Sequence, residues 1–168
     1  TLSPADAEDI AIIETHAREV NPSATVQRRD STLHVPEPRA ITGKRVLVIE
    51  DGPTTTHGGM PFGAGVVAAR LNKAAEIVDP RPWAVGEIAD TFDQYPDIGP
   101  LLPAMGYGET QIRDLEKTVN AVDCDLVIVA TPIDLTRLLT IEHPHMHIGY
   151  KLEGSDGAIT DAIKSVLT

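Results

Sequence analysis

The sequence predicts a three-layer α/β fold, with a mostly parallel sheet and helices on both of its faces. Two short apolar runs, residues 45–49 and 125–130, are rich in β-branched side chains, which is typical of strands buried on both faces. Between and after them lie segments with helical spacing of apolar residues, such as 109–122. Strands that alternate with helices form parallel sheets, so we predict one α/β domain over residues 1–168.

The N-terminal part of the chain predicts a helix followed by weaker strand patterns. Ser3 is a typical N-cap, with acidic residues in the first turn after it, and the helical pattern ends near Pro22. Residues 24–28 are a candidate short strand. Residues 31–35 are more polar and suit an edge strand or a loop.

The rest of the chain continues the alternation of helices and strands. We expect further strands at 76–78 and 146–152. A long loop rich in glycine and proline is expected at 96–108. The expected helices are 66–76, 83–95, 109–122, a short one ending at 139, and 157–166.

Composition and charge narrow the classes of function. With 168 residues, the chain is long enough for one sizeable hydrophobic core. Its net charge of -11 disfavours nucleic acid and anionic membranes as partners, and such an acidic surface suits a high-salt cytoplasm. No apolar run approaches the roughly 20 residues of a membrane helix. The single cysteine, Cys124, excludes an internal disulfide, and we expect a cytoplasmic protein.

The candidate site is the loop that follows the first buried strand, residues 50–65. It holds two acids, three threonines, one histidine and five glycines. Open α/β sheets place their ligands at the carboxyl ends of parallel strands, where this loop begins. The loop matches neither the Walker A pattern nor the dinucleotide-binding fingerprint. The alternative is a connection shaped by turn chemistry, with threonine hydroxyls capping nearby backbone.

Within this loop we assign roles by residue type. Asp51 and His57 are the candidate catalytic acid and base, although a lone histidine in such a loop is more often a structural hydrogen-bonding group. Backbone N–H groups next to glycines, together with hydroxyls, suit an anion at a helix start. The candidate cofactor-binding residues in the loop are Gly52, Thr54, Thr56, Gly58, Gly59, Gly63 and Gly65.

Two further candidates lie outside the loop. Asp134 follows the second buried strand, so with Asp51 it could hold Mg²⁺ at one sheet edge; helix N-capping is the alternative for each acid. Arg81, between two prolines, presents a guanidinium suited to phosphate or carboxylate, and the alternative is a turn pair with Asp79. Alternating histidines at 143, 145 and 147 could form a metal site, but a solvated edge is the more common outcome.

Four motifs of this chain resemble a known family. The runs 43–60 with 63–65, 75–82, 102–108 and 131–135 are similar, in order, to the C-terminal part of the cyclic 2,3-diphosphoglycerate synthetase-like predicted GTPases. The resemblance implies a Rossmann-like, P-loop-like fold. It also implies an upstream P-loop domain, since these runs contain no Walker A loop.

The resemblance further implies a function and its cofactors. It implies that the chain is part of a nucleotide-dependent enzyme that uses Mg²⁺ and a nucleoside triphosphate, GTP or ATP. The loop 51–65, Arg81 and Asp134 would then form the phosphate or phosphorylated-substrate side of a composite site. The alternatives are a non-catalytic scaffold or oligomerisation domain, and a free-standing small-molecule enzyme that uses Asp51 with His57.

Overall fold

A computed structural model describes residues 6–57, 61–153 and 157–167. The chain divides into two compact units: Leu33–Gly149, and a second unit formed by Thr1–Thr32 together with Tyr150–Thr168. The prediction of a single domain over residues 1–168 stays a prediction.

The described residues form an α/β structure, as the sequence predicts. Short 3₁₀ turns also occur at Pro38–Ala40, Arg81–Trp83 and Leu135–Arg137. No helix within the described ranges is long and apolar enough to cross a membrane. The helices are α1 Ala7–Val20, α2 Gly52–Thr56, α3 Ala64–Leu71, α4 Glu87–Gln94, α5 Glu109–Ala121 and α6 Ala158–Leu167. The strands are β1 Ser31–His34, β2 Arg45–Asp51, β3 Glu76–Ile77, β4 Leu102–Ala104, β5 Leu126–Ala130, β6 His145–His147 and β7 Gly149–Leu152.

The larger unit is built on a five-stranded sheet in which every pairing is parallel. Its strand order is β3-β2-β5-β6, and β4 also pairs with β2. Strand β5 runs along one edge of β2, from Val46 opposite Leu126 to Glu50 opposite Ala130. On the other edge, β3 pairs with the first residues of β2 and β4 with the last. Helices flank this sheet, so the unit has the predicted three-layer, Rossmann-like architecture.

The two central strands form the core because their side chains are apolar on both faces. The core residues of β2, Val46 to Ile49, have 0% exposure, and Val127 and Ile128 of β5 are equally buried. A strand covered on both faces cannot alternate polar with apolar side chains, so it reads as a continuous apolar run. For this reason both strands could be predicted from the sequence.

Helix α3 packs closely on the sheet through a glycine. A Cβ at Gly65 would lie 2.5 Å from Cγ1 of Val48 and 3.0 Å from Cβ of Ala130. These distances are shorter than carbon–carbon contacts, so any side chain here would push the helix off β2 and β5. Gly65 thus sets the distance between this helix and the two strands.

Two of the predicted helices are shorter than expected because the backbone leaves the helical region. The helix expected at 66–76 ends at Leu71, since Lys73 has a φ of 57°, in the left-handed region. The helix expected at 83–95 begins only at Glu87, because Gly86 has a φ of 53°. Side-chain periodicity alone does not reveal such breaks.

Three strand predictions differ from the structure. The expected loop 96–108 contains the short strand β4, whose Pro103 hides it from sequence patterns. The expected strand 146–152 is two strands, β6 in the large sheet and β7 in a small one. Residues 24–28, a candidate strand, have no regular structure, whereas the edge strand that was one alternative for residues 31–35 is present at Ser31–His34. In each case pairing with a distant strand decides the outcome.

The smaller unit contains α1, α6, the first two residues of β1 and the last three of β7, and these two strands pair. Helix α1 begins after Asp6, whose carboxylate accepts a hydrogen bond from the N–H of Glu8. The predicted N-cap, Ser3, lies outside the described residues. Glu14 of α1 forms an ion pair with Arg28, which lowers the pKa of Glu14.

We expect the Gly65→Ala variant to be less stable than the wild type by at least about 1 kcal/mol, since the clash outweighs the gain in helix propensity. Urea denaturation checks this. Gly149→Ala is the control, because a Cβ there would meet no atom within 4 Å. Equal stability of both variants would contradict the close packing described for α3.

Candidate functional site

The candidate site lies at the carboxyl edge of the large sheet, where β2, β4 and β5 end. Asp51, the last residue of β2, pairs with Ala104, the last residue of β4. The adjacent β5 ends at Ala130, just before the segment that leads to Asp134. The sequence prediction that the loops after both buried strands share one edge therefore agrees with the strand register.

Glu50 is a buried acid that connects β2 to α3. Its Oε1 accepts hydrogen bonds from the N–H groups of Gly65, at 2.8 Å, and Val66, at 3.1 Å. The side chain has 3% exposure. Burial raises the pKa of Glu50 to about 7, although the hydrogen bonds from Val66, Gly65 and Gly63 favour the ionised form, and nearby Asp51 disfavours it.

The Glu50 carboxyl group binds the free N–H groups at the start of α3. The sequence suggested Gly63 and Gly65 as places where a bound anion approaches free N–H groups. In the structure an internal carboxylate takes that position, and a Cβ on Gly63 would lie 2.5 Å from Oε2 of Glu50. The glycines therefore make room for Glu50. Glu50 is not among the candidate site residues predicted from the sequence, although a carboxyl group at the end of a buried apolar strand indicates a buried hydrogen-bonding partner.

From the described residues, Asp51 accepts fewer hydrogen bonds than Glu50 does. It is half-buried, and its carboxylate makes no side-chain bond to the backbone at the start of α2. Thr54 donates its hydroxyl to Oδ2 of Asp51 at 2.8 Å. A carboxylate can accept about four hydrogen bonds, so one from Thr54 leaves further capacity toward a ligand. Tyr107 is close enough that burial and the charge of Asp51 raise the pKa of its hydroxyl.

The hydroxyls of the other two threonines of the loop form hydrogen bonds with the backbone. The hydroxyls of Thr55 and Thr56 donate to the carbonyl of Gly52 at 2.9 and 3.0 Å. Gly52 itself is buried, and a Cβ on it would lie 2.7 Å from the carbonyl oxygen of Ala104. Part of the predicted loop is therefore the short helix α2, seated against the end of β4, and these hydroxyls have the capping role that the sequence left open.

His57 is exposed at the end of α2. Its ring packs edge-on against Tyr95, with 6.1 Å between ring centroids. Among the described residues it makes no hydrogen bond with Asp51, so the suggested acid–base pair is not assembled in this structure. Gly58 and Gly59, also predicted to bind a cofactor, lie outside the described residues.

The guanidinium of Arg81 is engaged by neighbouring groups of the protein. Its guanidinium pairs with Asp79 at 2.9 Å, as the turn-pair alternative predicted. It also donates to the carbonyls of Ile98 and Pro96 and lies 4.7 Å from the centre of the Phe92 ring. These contacts fix the segment after α4, and a phosphate at Arg81 would compete with them.

Asp134 caps the 3₁₀ turn Leu135–Arg137. It accepts hydrogen bonds from the N–H and the hydroxyl of Thr136, at 3.1 and 2.7 Å, and the hydroxyl bond is the main cause of its lowered pKa. Asp134 is exposed, and this capping is the alternative to metal binding that the sequence left open.

No group of three or more histidine, cysteine, aspartate or glutamate side chains is arranged to hold a metal among residues 6–57, 61–153 and 157–167. His145 and His147 are exposed on either side of buried Met146, as expected of a solvated edge. Their ring nitrogens contact the carbonyls of His143 and Thr131. At this edge Asp51 and Asp134 both keep acceptor capacity beyond the hydrogen bonds described, and Asp51 is the one of the two that is half-buried.

Comparison with known proteins gives one informative match. Over 152 residues, 90% of this chain, the sequence is 50% identical to the arginine synthetase ArcE of Thermococcus kodakarensis. The chain resembles part of a larger synthetase. It spans 34%, about a third, of that relative's length. The match thus supports the predicted relation to a larger synthetase-like protein, but not to the cyclic 2,3-diphosphoglycerate synthetases specifically.

No protein-family model matches the chain, and no solved structure gives a significant match. The synthetase-like relationship therefore depends on this one pairwise similarity, which covers nearly all of the chain.

We expect Glu50 to reduce the stability of the protein as pH rises from about 4.5 to about 7. The folded carboxyl has a pKa of about 7 and the unfolded one about 4.5, so the unfolded state loses its proton first. Above pH 7 the full effect is about 3 kcal/mol. The Glu50→Gln variant removes it, so its stability relative to wild type should rise between pH 4.5 and pH 8.

The measurement is urea denaturation of both proteins at the two pH values. Glu142→Gln removes a charge from an exposed residue of the same unit and serves as the control. A difference between Glu50→Gln and wild type that does not change with pH would contradict this account of the buried acid.

We expect Arg81→Ala to lower the free energy of unfolding by about 1–3 kcal/mol, because the carbonyls of Ile98 and Pro96 lose a charged donor. Thermal and urea unfolding check this. Exposed Arg113 of α5 gives the control variant Arg113→Ala, which should change stability by at most about 0.5 kcal/mol. An Arg81→Ala protein of full stability with weakened phosphate binding would instead assign Arg81 to a ligand.

Proposed function

We propose that this chain forms the substrate side of the active site of a larger synthetase, centred on the loop 51–65. The observation that carries the proposal is the Asp51 carboxylate at the end of β2. It is half-buried and bonded to the Thr54 hydroxyl, with acceptor capacity left. The carboxyl ends of parallel strands are where open α/β sheets bind ligands. The similarity to an arginine synthetase supports the synthetase context.

Asp51, with Asp134 as a second acid at this edge, would bind Mg²⁺ that accompanies a nucleoside triphosphate, GTP or ATP. One or two carboxylates, substrate phosphates and waters are the usual ligands of Mg²⁺ in such sites. When bound, the ion would neutralise phosphate charge at the transferring group. Asp134 is exposed, so a metal could reach it, although it would compete with Thr136 for the carboxylate.

The finer proposal is that this loop binds the phosphate of a nucleotide or of a phosphorylated substrate, as in the predicted GTPases that the sequence resembles. Glu50 holds the N–H groups at the start of α3, so the phosphate would contact the other end of the loop. That end holds Thr54 and His57, both of which are exposed. An upstream P-loop domain would supply the remaining nucleotide contacts.

A second candidate ligand is arginine, which the name of the relative supports. Carboxylates accept bidentate hydrogen bonds from a guanidinium, and Asp51 has the capacity to do so. Arg81 is engaged by Asp79 and by backbone carbonyls, which leaves this edge acidic in character.

We also propose that the protein works in the cytoplasm, without nucleic-acid or membrane partners, in line with its net charge of -11. The alternative to a catalytic role is a scaffold or oligomerisation domain of the same synthetase. A homo-oligomer is compatible with either role.

Calorimetric titration of the 168-residue chain tests the proposal. The ligands are phosphate, 3-phosphoglycerate, ATP, GTP and arginine, each with and without Mg²⁺ and at low and high salt. We expect a nucleotide or phosphorylated ligand to bind better than about 1 mM, roughly -4 kcal/mol, and only with Mg²⁺. Asp51→Asn should weaken this binding at least tenfold. Asp93→Asn, an exposed acid on α4, is the control.

Two other results would change the function assigned to this site. Binding of arginine alone, lost in Asp51→Asn, would replace the phosphate assignment with an amino-acid site. Absence of binding for every ligand would contradict a preformed site in this chain and favour the scaffold role.

A further inference from the structure

The smaller unit, residues 1–32 and 150–168, exposes most of the large apolar side chains that face solvent in the described structure. It contributes nine of thirteen such residues, although it holds only 51 of the 168 residues, 32 and 19 in its two segments. The nine are Ile12, Ile13, Val20, Val26, Tyr150, Leu152, Ile159, Ile163 and Leu167. Single exposed apolar residues need no explanation, but a concentration of this kind marks an interaction surface.

Helix α6 arranges three of these residues as one stripe. Ile159, Ile163 and Leu167 are spaced four residues apart, so they lie on one side of the helix. They are 41%, 55% and 80% exposed. A helix with such a stripe normally gains its stability by burying it. In α1, Ile13 and Val20 also share a side, seven residues apart.

The unit does not use these side chains for a core of its own. None of its described residues is buried, and α1 contains no buried residue. A segment of about 50 residues gains little from burial even when it is well packed. The stripe on α6 therefore needs a surface from outside this unit to cover it.

The match to the synthetase indicates what that surface belongs to. Sixteen of the 168 residues lie outside the 152-residue match, so at least 35 of the 51 residues in this unit lie inside it. Much of the unit is thus shared with a protein of which about two thirds lies outside the match.

We propose that the α6 stripe, Ile159, Ile163 and Leu167, docks on the part of a synthetase that corresponds to the other two thirds of the matched relative. The docking face there would be an apolar groove with basic residues at its rim. The reason is charge: the smaller unit carries nine acidic and five basic residues, a net charge of -4. The inference rests on the synthetase part of the proposed function and is independent of the ligand bound at Asp51.

Hydrogen exchange of α6 in two contexts tests this docking. The first is the 168-residue chain alone, and the second is a chimera in which this chain replaces the matched third of the Thermococcus kodakarensis arginine synthetase. We expect α6 amides to exchange at least about tenfold more slowly in the chimera, because docking stabilises the helix. Ile159→Ser with Ile163→Ser should return α6 to fast exchange. Leu71→Ser, 70% exposed on α3, should leave α6 protected.

A second measurement covers the case of a chimera that does not fold. The unmatched two thirds of the relative is then mixed with the 168-residue chain, and sedimentation measures a complex that the double serine variant weakens at least tenfold. Fast α6 exchange in a folded chimera would overturn the proposal, as would absence of a complex with a folded fragment. A dimer of the 168-residue chain that the double variant dissociates would also overturn it, because a second copy would then be the occupant.

Discussion

The hydrogen bonds from the start of α3 to the Glu50 carboxylate organise the carboxyl edge of the large sheet. They join the end of the central strand to the helix that packs on it. Gly65 permits the helix to approach this closely, and Gly63 leaves room for the carboxylate. Since the side chain is buried, the contact is more sensitive to protonation than a surface cap would be. One internal carboxyl group therefore holds the start of α3 against the end of β2.

Several other polar groups of the larger unit are also engaged within the protein. Arg81 is bonded to Asp79 and to carbonyls, and Asp134 caps a turn. Gln111 accepts a hydrogen bond from the N–H of Gly108, just before α5. Asp51, which is half-buried, accepts one described side-chain hydrogen bond, from Thr54, and retains capacity for a ligand. Rigid surroundings of this kind hold a functional carboxylate in position.

The sequence was most informative where burial decides the structure. The strands β2 and β5 and the helix α5 followed from apolar runs and spacing, since the solvent-free core requires those patterns. It was less informative about β4, which exists because β2 offers an unpaired edge. It also left the partner of the α3 N-terminus undecided, because glycines before a helix serve an internal carboxylate and a bound phosphate equally well. Only the placement of Glu50 distinguishes the two.

The division of the smaller unit between both ends of the chain affects the order of folding. Strands β1 and β7 pair, yet the 117 residues of Leu33–Gly149 separate the two segments of this unit. Closing so long a loop costs chain entropy unless the intervening residues are already compact. Strand β1 therefore gains its partner only after residues 149–152 have been synthesised. A protein shortened at residue 149 would leave β1 as an unpaired strand, prone to self-association.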